Sequence, residues 1–471
     1  MSIWEAQPNC VYDVAGYFLR ATGRSTIVDI GCGTGNQLLQ VDAARRLGID
    51  HADNIEKCRQ EHEGKAEWYE LEAARQQCVA LPDNDSIVVC AITQRTDLAG
   101  LFGLLSICWA RGALILTSAP DGTMFSLPSQ TRPGSPDADG SLQKYRDLLD
   151  AKNLPPIYVG RTPNRSSGQS LSRIISLHDP SVEQAKSQLT EGGCRPLAIL
   201  STYNESDVIT EVMQDLVEQG CDLVVIDNWS TDGTWELIQQ FERSHPDRVE
   251  SERFPFSGSA ENYEWQKILR RKEEIAATCP GRWVIHTDAD ELRRSPFPGL
   301  TLAQGLEIAS ITGANRVNFN LINFRPVDDR PFSPGSLSTS FTHFEFGTRP
   351  GHFAQAKAWL QGDEKVSLAA SGGHMAKFTG ARDFPYRFLL RHYPIRSKEH
   401  GARKVFVDRC SRWSPYEKNT LGWHNHYDGF SEGSDFTWPK TVLIPFNEDF
   451  WENHGLHIIT DLLQKTVRVA G

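Results

Sequence analysis

The sequence predicts two successive α/β domains, and three stretches carry that expectation. The apolar run Ser25 to Ile30 passes into the glycine-rich turn Gly31-Cys32-Gly33-Thr34-Gly35 and then into a helical stretch, so that a ligand can approach bare backbone and a helix N-terminus. Downstream, Pro196 to Leu200 and Asp222 to Ile226 open two further strand-loop-helix units, the alternation of a parallel sheet. Arg282 to Glu291 is another such strand, rich in Trp, Val and Ile, and it ends in Asp288, Asp290 and Glu291. A chain of 471 residues is longer than one hydrophobic core usually organises.

Composition narrows the function classes. Hydrophobic residues at 39% and charged residues at 23% are near globular values. The net charge of −11 argues against nucleic acid as a partner, because affinity for a phosphate backbone accumulates from Lys and Arg. The ten cysteines form no Cys-x-x-Cys pair, and no charged-then-apolar segment opens the chain, which predicts reduced thiols and a cytoplasmic location. Leu98 to Leu116 is apolar but is broken by Arg111 and Gly112. It reads as a helix followed by a buried strand, so no transmembrane segment is expected.

In the first domain the strands expected after Ser25–Ile30 are Leu47–Asp50, Ala66–Tyr69, Asp85–Cys90 and Ala113–Thr117, closed by a hairpin of Pro156–Val159 with Leu171–Ser176. Val28-Asp29-Ile30 ahead of the glycines resembles motif I of the class I S-adenosylmethionine-dependent methyltransferases. The resemblance covers roughly residues 1–180 and implies a Rossmann-like domain. It further implies that Asp29, Gly31, Gly33 and Gly35 surround the methionine part of S-adenosylmethionine and that Asp50 holds its ribose hydroxyls. The interval from Gly35 to Asp50 is short for the family, and only Glu70 or Glu72 stands where an acid would contact adenine. Between Ala119 and Gly140 the sequence predicts a long surface loop, and residues 181–195, with Gly192-Gly193, a linker.

Residues 196–471 form the second domain. Strand, Asn204-Glu205 loop and helix are followed by strand, Asp227-Asn-Trp-Ser-Thr-Asp-Gly-Thr234 and helix, and later by Asp288-Ala-Asp290-Glu291. This order resembles the family-2-type glycosyltransferases with the GT-A fold. From the residues alone, Asp288 and Asp290 would repel each other unless a cation lies between them, and a hard divalent ion such as Mn²⁺ or Mg²⁺ with phosphate oxygens satisfies that. The resemblance implies that Asp227, with Asn204 and Glu205, contacts the base or ribose of a nucleotide-sugar donor. It places Asp290 on the metal and Asp288 nearer the ribose or the metal's water shell. Asp232 is expected to shape its loop instead.

Ser371-Gly-Gly-His374 and Leu390-Arg-His-Tyr-Pro-Ile-Arg-Ser397 resemble segments of a glycosyltransferase subgroup. They make His392, ahead of His374, the imidazole that completes the metal shell, and Arg391, Arg396, Ser397 and Lys404 the phosphate-holding set. Trp359 is the expected stacking surface for the acceptor sugar. Asp363, Glu364 and Glu345 are the candidates for a general base, which inversion by direct displacement requires.

The resulting expectation is a metal-dependent glycosyltransferase that passes a sugar to a glycan or lipid-linked saccharide in cell-surface glycan synthesis, with a methyltransferase-like accessory domain. A bifunctional methyltransferase-glycosyltransferase and a non-enzymatic nucleotide-sugar or S-adenosylmethionine sensor are the alternatives.

Overall fold

The computed structural model describes residues 11–92, 96–120, 138–162, 173–347, 353–423, 428–431 and 433–462. The chain divides into two compact units, Met1–Gln188 with Asp449–Gly471, and Leu189–Glu448. The expected division put everything from 196 to 471 in the second domain. The difference lies in the C-terminal helix Phe450–Ile459. It returns to the first unit because Tyr158 donates to the Glu452 carbonyl (2.9 Å), and Arg146 and Arg161 reach the Glu452 carboxylate. The expected loop from 119 to 140 lies mostly outside the described residues.

The first unit is a seven-stranded sheet. Its strands are β1 (Thr26–Ile30), β2 (Arg45–Asp50), β3 (Glu67–Glu70), β4 (Ser86–Ala91), β5 (Leu114–Pro120), β6 (Tyr158–Thr162) and β7 (Arg173–His178), in the order β3-β2-β1-β4-β5-β7-β6. The first five run parallel, and β7 is antiparallel to both β5 and β6. This is the Rossmann-like arrangement the sequence implies. The strands read as near-continuous apolar runs because helices cover both faces. Leu98–Ala110 is a helix, started by Asp97 accepting from the Ala99 and Gly100 amides, and the buried β5 follows it.

The Gly35-to-Asp50 interval is short because its helix has only four residues, Asn36–Leu39. Trp68 of β3, buried, covers the sheet there. A Cβ on Gly35 or Gly48 would come within 2.4 Å of the Trp68 ring, so both positions are glycine for packing as well as for the turn. Gly48→Ala is expected to destabilise this unit by about 1–3 kcal/mol through overpacking. Trp68→Leu in the same chain should recover part of that loss in urea unfolding. Wild-type stability of Gly48→Ala alone would contradict this packing.

The second unit holds a ten-stranded mixed sheet. It comprises β8 (Leu197–Thr202), β9 (Asp222–Asp227), β10 (Val249–Arg253), β11 (Trp283–Asp288), β12 (Glu291–Arg294), β13 (Arg316–Phe324), β14 (His343–Phe346), β15 (Ala354–Leu360), β16 (Phe388–His392) and β17 (Ile444–Pro445). The order β10-β9-β8-β11-β15-β13-β14-β17 puts the parallel strands β10, β9, β8 and β11 on one side. Beyond them β15 pairs antiparallel with β11, and β12 pairs with β16. The carboxyl ends of β8 and β11 lie side by side, Asp288 opposite Ser201. In sheets of this kind ligands bind just beyond such ends. No helix among the described residues is long and apolar enough to cross a membrane.

Candidate functional site

A cavity of about 650 Å³ opens beyond β8 and β11. Its wall includes Thr202, Tyr203, Glu205, Asp288, Asp290, Glu291, Glu345, Lys357, His374, His392 and Lys404. Alternation along β11 sets the deeper layer. His286 and Asp288 share the face covered by the helix Trp265–Ala277, whereas Thr287 turns to the other face, where Arg293 donates to its hydroxyl.

The acids are compensated by side chains, which corrects the expectation that Asp288 and Asp290 need a cation between them to coexist. Asp288 Oδ2 lies 3.3 Å from Lys357 Nζ, and Oδ1 accepts from the Ser201 hydroxyl at 3.2 Å. Lys404 Nζ donates to Asp290 Oδ2 at 2.8 Å and lies 3.0 Å from Glu205. Glu291 is buried between Arg293 at 2.6 Å and Lys357 at 2.8 Å. Desolvation pulls Asp288 upward, but Lys357 leads the cations that overcome it and hold the carboxyl well below its ordinary range. In Asp290 desolvation is likewise outweighed, chiefly by Lys404 and then His392. Burial pulls Lys272 down to about 7 although Asp288 faces it at 3.9 Å, and burial keeps His286 far below the ordinary imidazole value.

His392, the expected metal-shell imidazole, is held by Asn323 and faces Asp290. Its Nδ1 bonds the Asn323 side-chain oxygen at 2.8 Å, which fixes the hydrogen on Nδ1 and leaves the Nε2 lone pair 3.7 Å from Asp290 Oδ1. Burial lowers its pKa, against the pull of Asp290. One carboxylate oxygen and one imidazole nitrogen facing a common point fit Mn²⁺ or Mg²⁺, which takes its remaining ligands from phosphate and water. His374 also lines the cavity, where its Nδ1 is 3.3 Å from Gln355. In a second cluster with ligand-like spacing, Glu205, Asp207 and His400, the two acids hold the Arg396 guanidinium and His400 Nδ1 accepts from the Arg396 amide.

Several expected site residues lie elsewhere. Trp359 is fully buried in the core and its Nε1 donates to Gln361, so it offers no face to an acceptor. Arg391 points to the side of β16 opposite His392 and stacks on Phe446 and Phe324, 4.6 and 5.2 Å from their ring centres. Arg396 is spent on Glu205 and Asp207, and Ser397 caps the next helix by accepting from the His400 amide. Asn204 is buried in the left-handed region (φ 55°), its amide donating to Asp408 and its oxygen accepting from the Thr231 amide.

Asp227 is buried and accepts from the Ser230 amide, with Arg253 at 3.3 Å. Its pKa is raised by that burial. Asp232 shapes its loop, accepting from the Ser206 and Thr234 amides. Among the base candidates, Asp363 and Glu364 line a different cavity of about 860 Å³. Glu345 is in the site, its Oε1 taking two hydrogen bonds from Arg325.

Sequence reasoning missed other groups in the wall, Lys357, His286, Arg325, Tyr203, Trp265 and Trp423, and the buried Lys272 behind His286. Thr202 Oγ1 is buried with no partner among the described residues. Arg412 stacks on Tyr203 at 4.0 Å from the ring centre. The one available signal was period-2 alternation, which puts His286 beside Asp288 and Lys357 two places from Gln355.

In the first unit, Gly31, Gly33 and Gly35 all adopt positive φ, and a Cβ on Gly33 would meet nothing within 4 Å. Asp29 Oδ2 accepts from Tyr12, while Oδ1 is buried with no partner among the described residues. Burial pushes this carboxyl up to about 7. That oxygen suits an ammonium group, so the residues fit the amino-acid end of S-adenosylmethionine. Asp50, expected to hold the ribose hydroxyls, ends β2 beside the glycine turn. Its Oδ2 accepts from the Gly33 amide and its Oδ1 from the His51 amide, both at 2.7 Å, which turns the acid onto the glycine turn itself. Glu70 pairs with Arg59.

The second unit is thus an α/β domain whose parallel strands end in a buried, lysine-compensated set of acids. Residues 198–292 match the family described as Glycosyl transferase family 2, and the second unit thus carries a segment of that family. No curated protein matches the chain. Among solved structures, a mannosyltransferase from Pyrobaculum calidifontis in complex with GDP-Man and Mn²⁺ matches at 22% identity over 32% of this chain and 43% of its own, with a TM-score of 0.21. A didemethyltoxoflavin N1-methyltransferase from Burkholderia thailandensis matches at 12% identity over 38% and 81% (TM-score 0.25). A putative rRNA-methylase from Clostridium thermocellum matches at 13% over 36% and 98% (TM-score 0.25). Likenesses this distant decide nothing about activity.

Arg396→Ala is expected to act on stability more than on ligand binding. It leaves Glu205 buried with one cation fewer, a change that costs about 3–5 kcal/mol in buried pairs. Although desolvation opposes it, Arg396 and Lys404 hold the Glu205 carboxyl below its ordinary value. The stabilisation is therefore present above the unfolded value of about 4 and is lost as pH falls through the lower folded value. In Arg396→Ala that acid loss should begin at higher pH, read from urea unfolding across the acid range. A variant of wild-type stability that loses only nucleoside diphosphate affinity would contradict the pairing.

Proposed function

We propose that the second unit is a metal-dependent glycosyltransferase, moving a sugar from a nucleotide-sugar donor to the hydroxyl of a glycan or lipid-linked saccharide acceptor. The first unit is its methyltransferase-like accessory domain. The observation that carries this reading is the convergence of Asp290 Oδ1 and His392 Nε2, 3.7 Å apart in the cavity, beside the ammonium of Lys404. Asp290 and His392 are the residues that would hold Mn²⁺ or Mg²⁺. Such an ion, when bound, stabilises negative charge on the departing diphosphate.

The chain's own groups supply the rest. Lys404 adds a positive charge for phosphate oxygens and Lys357 holds Asp288 ionised at the strand end. Thr202 Oγ1 and Tyr203, at the end of β8, form the wall suited to the base and ribose. Glu345, oriented by Arg325 through Oε1, accepts the acceptor's hydroxyl proton as the acceptor oxygen displaces the diphosphate at the sugar carbon. Direct displacement inverts that carbon.

Asp290→Asn keeps the shape of the side chain and removes its charge. It is expected to lower transfer by at least the 10²–10³-fold typical of losing one electrostatic stabiliser, with no loss of fold by circular dichroism. The test is nucleoside diphosphate release from a panel of UDP-, GDP- and dTDP-sugars, with Mn²⁺ and with EDTA. Equal turnover in EDTA, or with Asn at 290, would contradict the reading.

The unpartnered Oδ1 of Asp29 supports a second reading in which the first unit also binds S-adenosylmethionine. Calorimetry should then detect binding that Gly33→Val abolishes while sugar transfer persists. No heat at millimolar ligand would leave the first unit a scaffold.

A further inference from the structure

Lys404 stands on the acid that would hold a metal. Its Nζ donates to Asp290 Oδ2 at 2.8 Å and lies 3.0 Å from Glu205 Oε1. The Lys404 side chain is 6% exposed and that of Asp290 11%, and both residues belong to the cavity wall, so the pair is enclosed yet reachable. Among the described residues, Lys404 is the cation that reaches the Asp290 carboxylate, with the His392 imidazole 3.7 Å from the other oxygen.

The two acids depend on Lys404 unequally. Glu205 is also paired with Arg396, and Arg409 lies 3.9 Å from it. Asp290 has no second lysine or arginine partner among the described residues. An ammonium withdrawn from Asp290 would leave a poorly solvated carboxylate uncompensated, which is costly, so it leaves readily only where another cation takes its place. An ammonium and a divalent cation on one carboxylate also repel each other, and the repulsion is strong at short range away from bulk water. Lys404 therefore competes with a metal for Asp290.

A diphosphate relieves that competition by offering the ammonium a second anion. The side chain is suited to the exchange, being a point charge on a flexible four-carbon stem, whereas the Arg396 fork is fixed between Glu205 and Asp207. Lys404 also rises from the π-helical turn Arg403–Arg409, a rare form that recurs at functional sites.

We propose that Lys404 is an internal gate on the metal site: its ammonium holds Asp290 against a divalent cation until a nucleoside diphosphate draws it away, so that metal and nucleotide bind weakly alone and tightly together. The inference rests on the glycosyltransferase reading and adds to it the residue that links the two ligands. The link is reciprocal, so the factor by which the nucleotide raises metal affinity is also the factor by which the metal raises nucleotide affinity.

The test titrates Mn²⁺ with wild type, Lys404→Met and Arg409→Gln, and follows the electron paramagnetic resonance signal of aqueous Mn²⁺ without nucleotide and with UDP, GDP or dTDP, corrected for the complex that Mn²⁺ and nucleotide form in solution. Lys404→Met keeps an unbranched side chain and removes the ammonium. It is expected to bind Mn²⁺ alone about tenfold more tightly than wild type, and to lose most of the gain that the nucleotide gives wild type. Arg409→Gln removes a cation that lies near Glu205 and does not touch Asp290, so its affinity for Mn²⁺ alone should rise much less. A Lys404→Met affinity for Mn²⁺ alone at or below that of wild type, an equal rise in Arg409→Gln, or a wild type that binds Mn²⁺ as well without nucleotide as with it, would overturn the proposal.

Should Lys404→Met fail to fold, a crystal structure of the wild type with Mn²⁺ and UDP or GDP decides. Lys404 Nζ must then lie against a phosphate oxygen and off Asp290, and Nζ still on Asp290 overturns the proposal. Protein that takes up no Mn²⁺ with any of the nucleotides overturns the metal-dependent glycosyltransferase reading itself, and this inference with it.

Discussion

Everything in the second unit that bears on chemistry depends on one buried ion network at the ends of β8 and β11. Glu205, Asp290 and Glu291 are almost wholly out of water, and each is met within 3.0 Å by Lys404, Lys357, Arg293 or Arg396. Removing a cation from such a set leaves an acid short of partners in a poorly solvated place, which is costly. The network therefore constrains sequence and geometry together. It holds Asp288 and Asp290 ionised without any help from a ligand, the state in which a carboxylate binds a cation.

The same network separates supporting groups from acting ones. Arg396 faces inward and Lys404 lies between Glu205 and Asp290 at the cavity wall, so a basic segment that looks uniform in sequence divides by direction. His392 and Arg391 are adjacent in β16 and do opposite things. One faces Asp290, and the other lies flat on Phe446 and Phe324. Strand alternation makes that division.

Local order was legible in the sequence and long-range partnership was not. Strands β1, β8, β9 and β11 fall within a residue or two of where apolar runs and turn residues place them, and the motifs stand at the strand ends as expected. The errors have a common physical source. Trp359 was chosen for its chemistry, but β15 is covered on that face and the ring became core. Arg396 was chosen for its charge, yet its partners Glu205 and Asp207 are about 190 residues away. The C-terminal helix joins the first unit through Tyr158 and Glu452, nearly 300 residues apart. His286 was within reach, since two-residue periodicity puts it beside Asp288.

The central claim is that Asp290 and His392 form half of a divalent-ion site completed by a nucleoside diphosphate. Titrating Mn²⁺ with the protein and GDP or UDP, and following the electron paramagnetic resonance signal of aqueous Mn²⁺, tests it most directly. The signal is expected to fall when wild-type protein and nucleoside diphosphate are both present, and to stay at the level of the nucleotide alone with His392→Ala. Loss of signal that is the same for wild type and His392→Ala, or no loss beyond that caused by the nucleotide, would contradict the account.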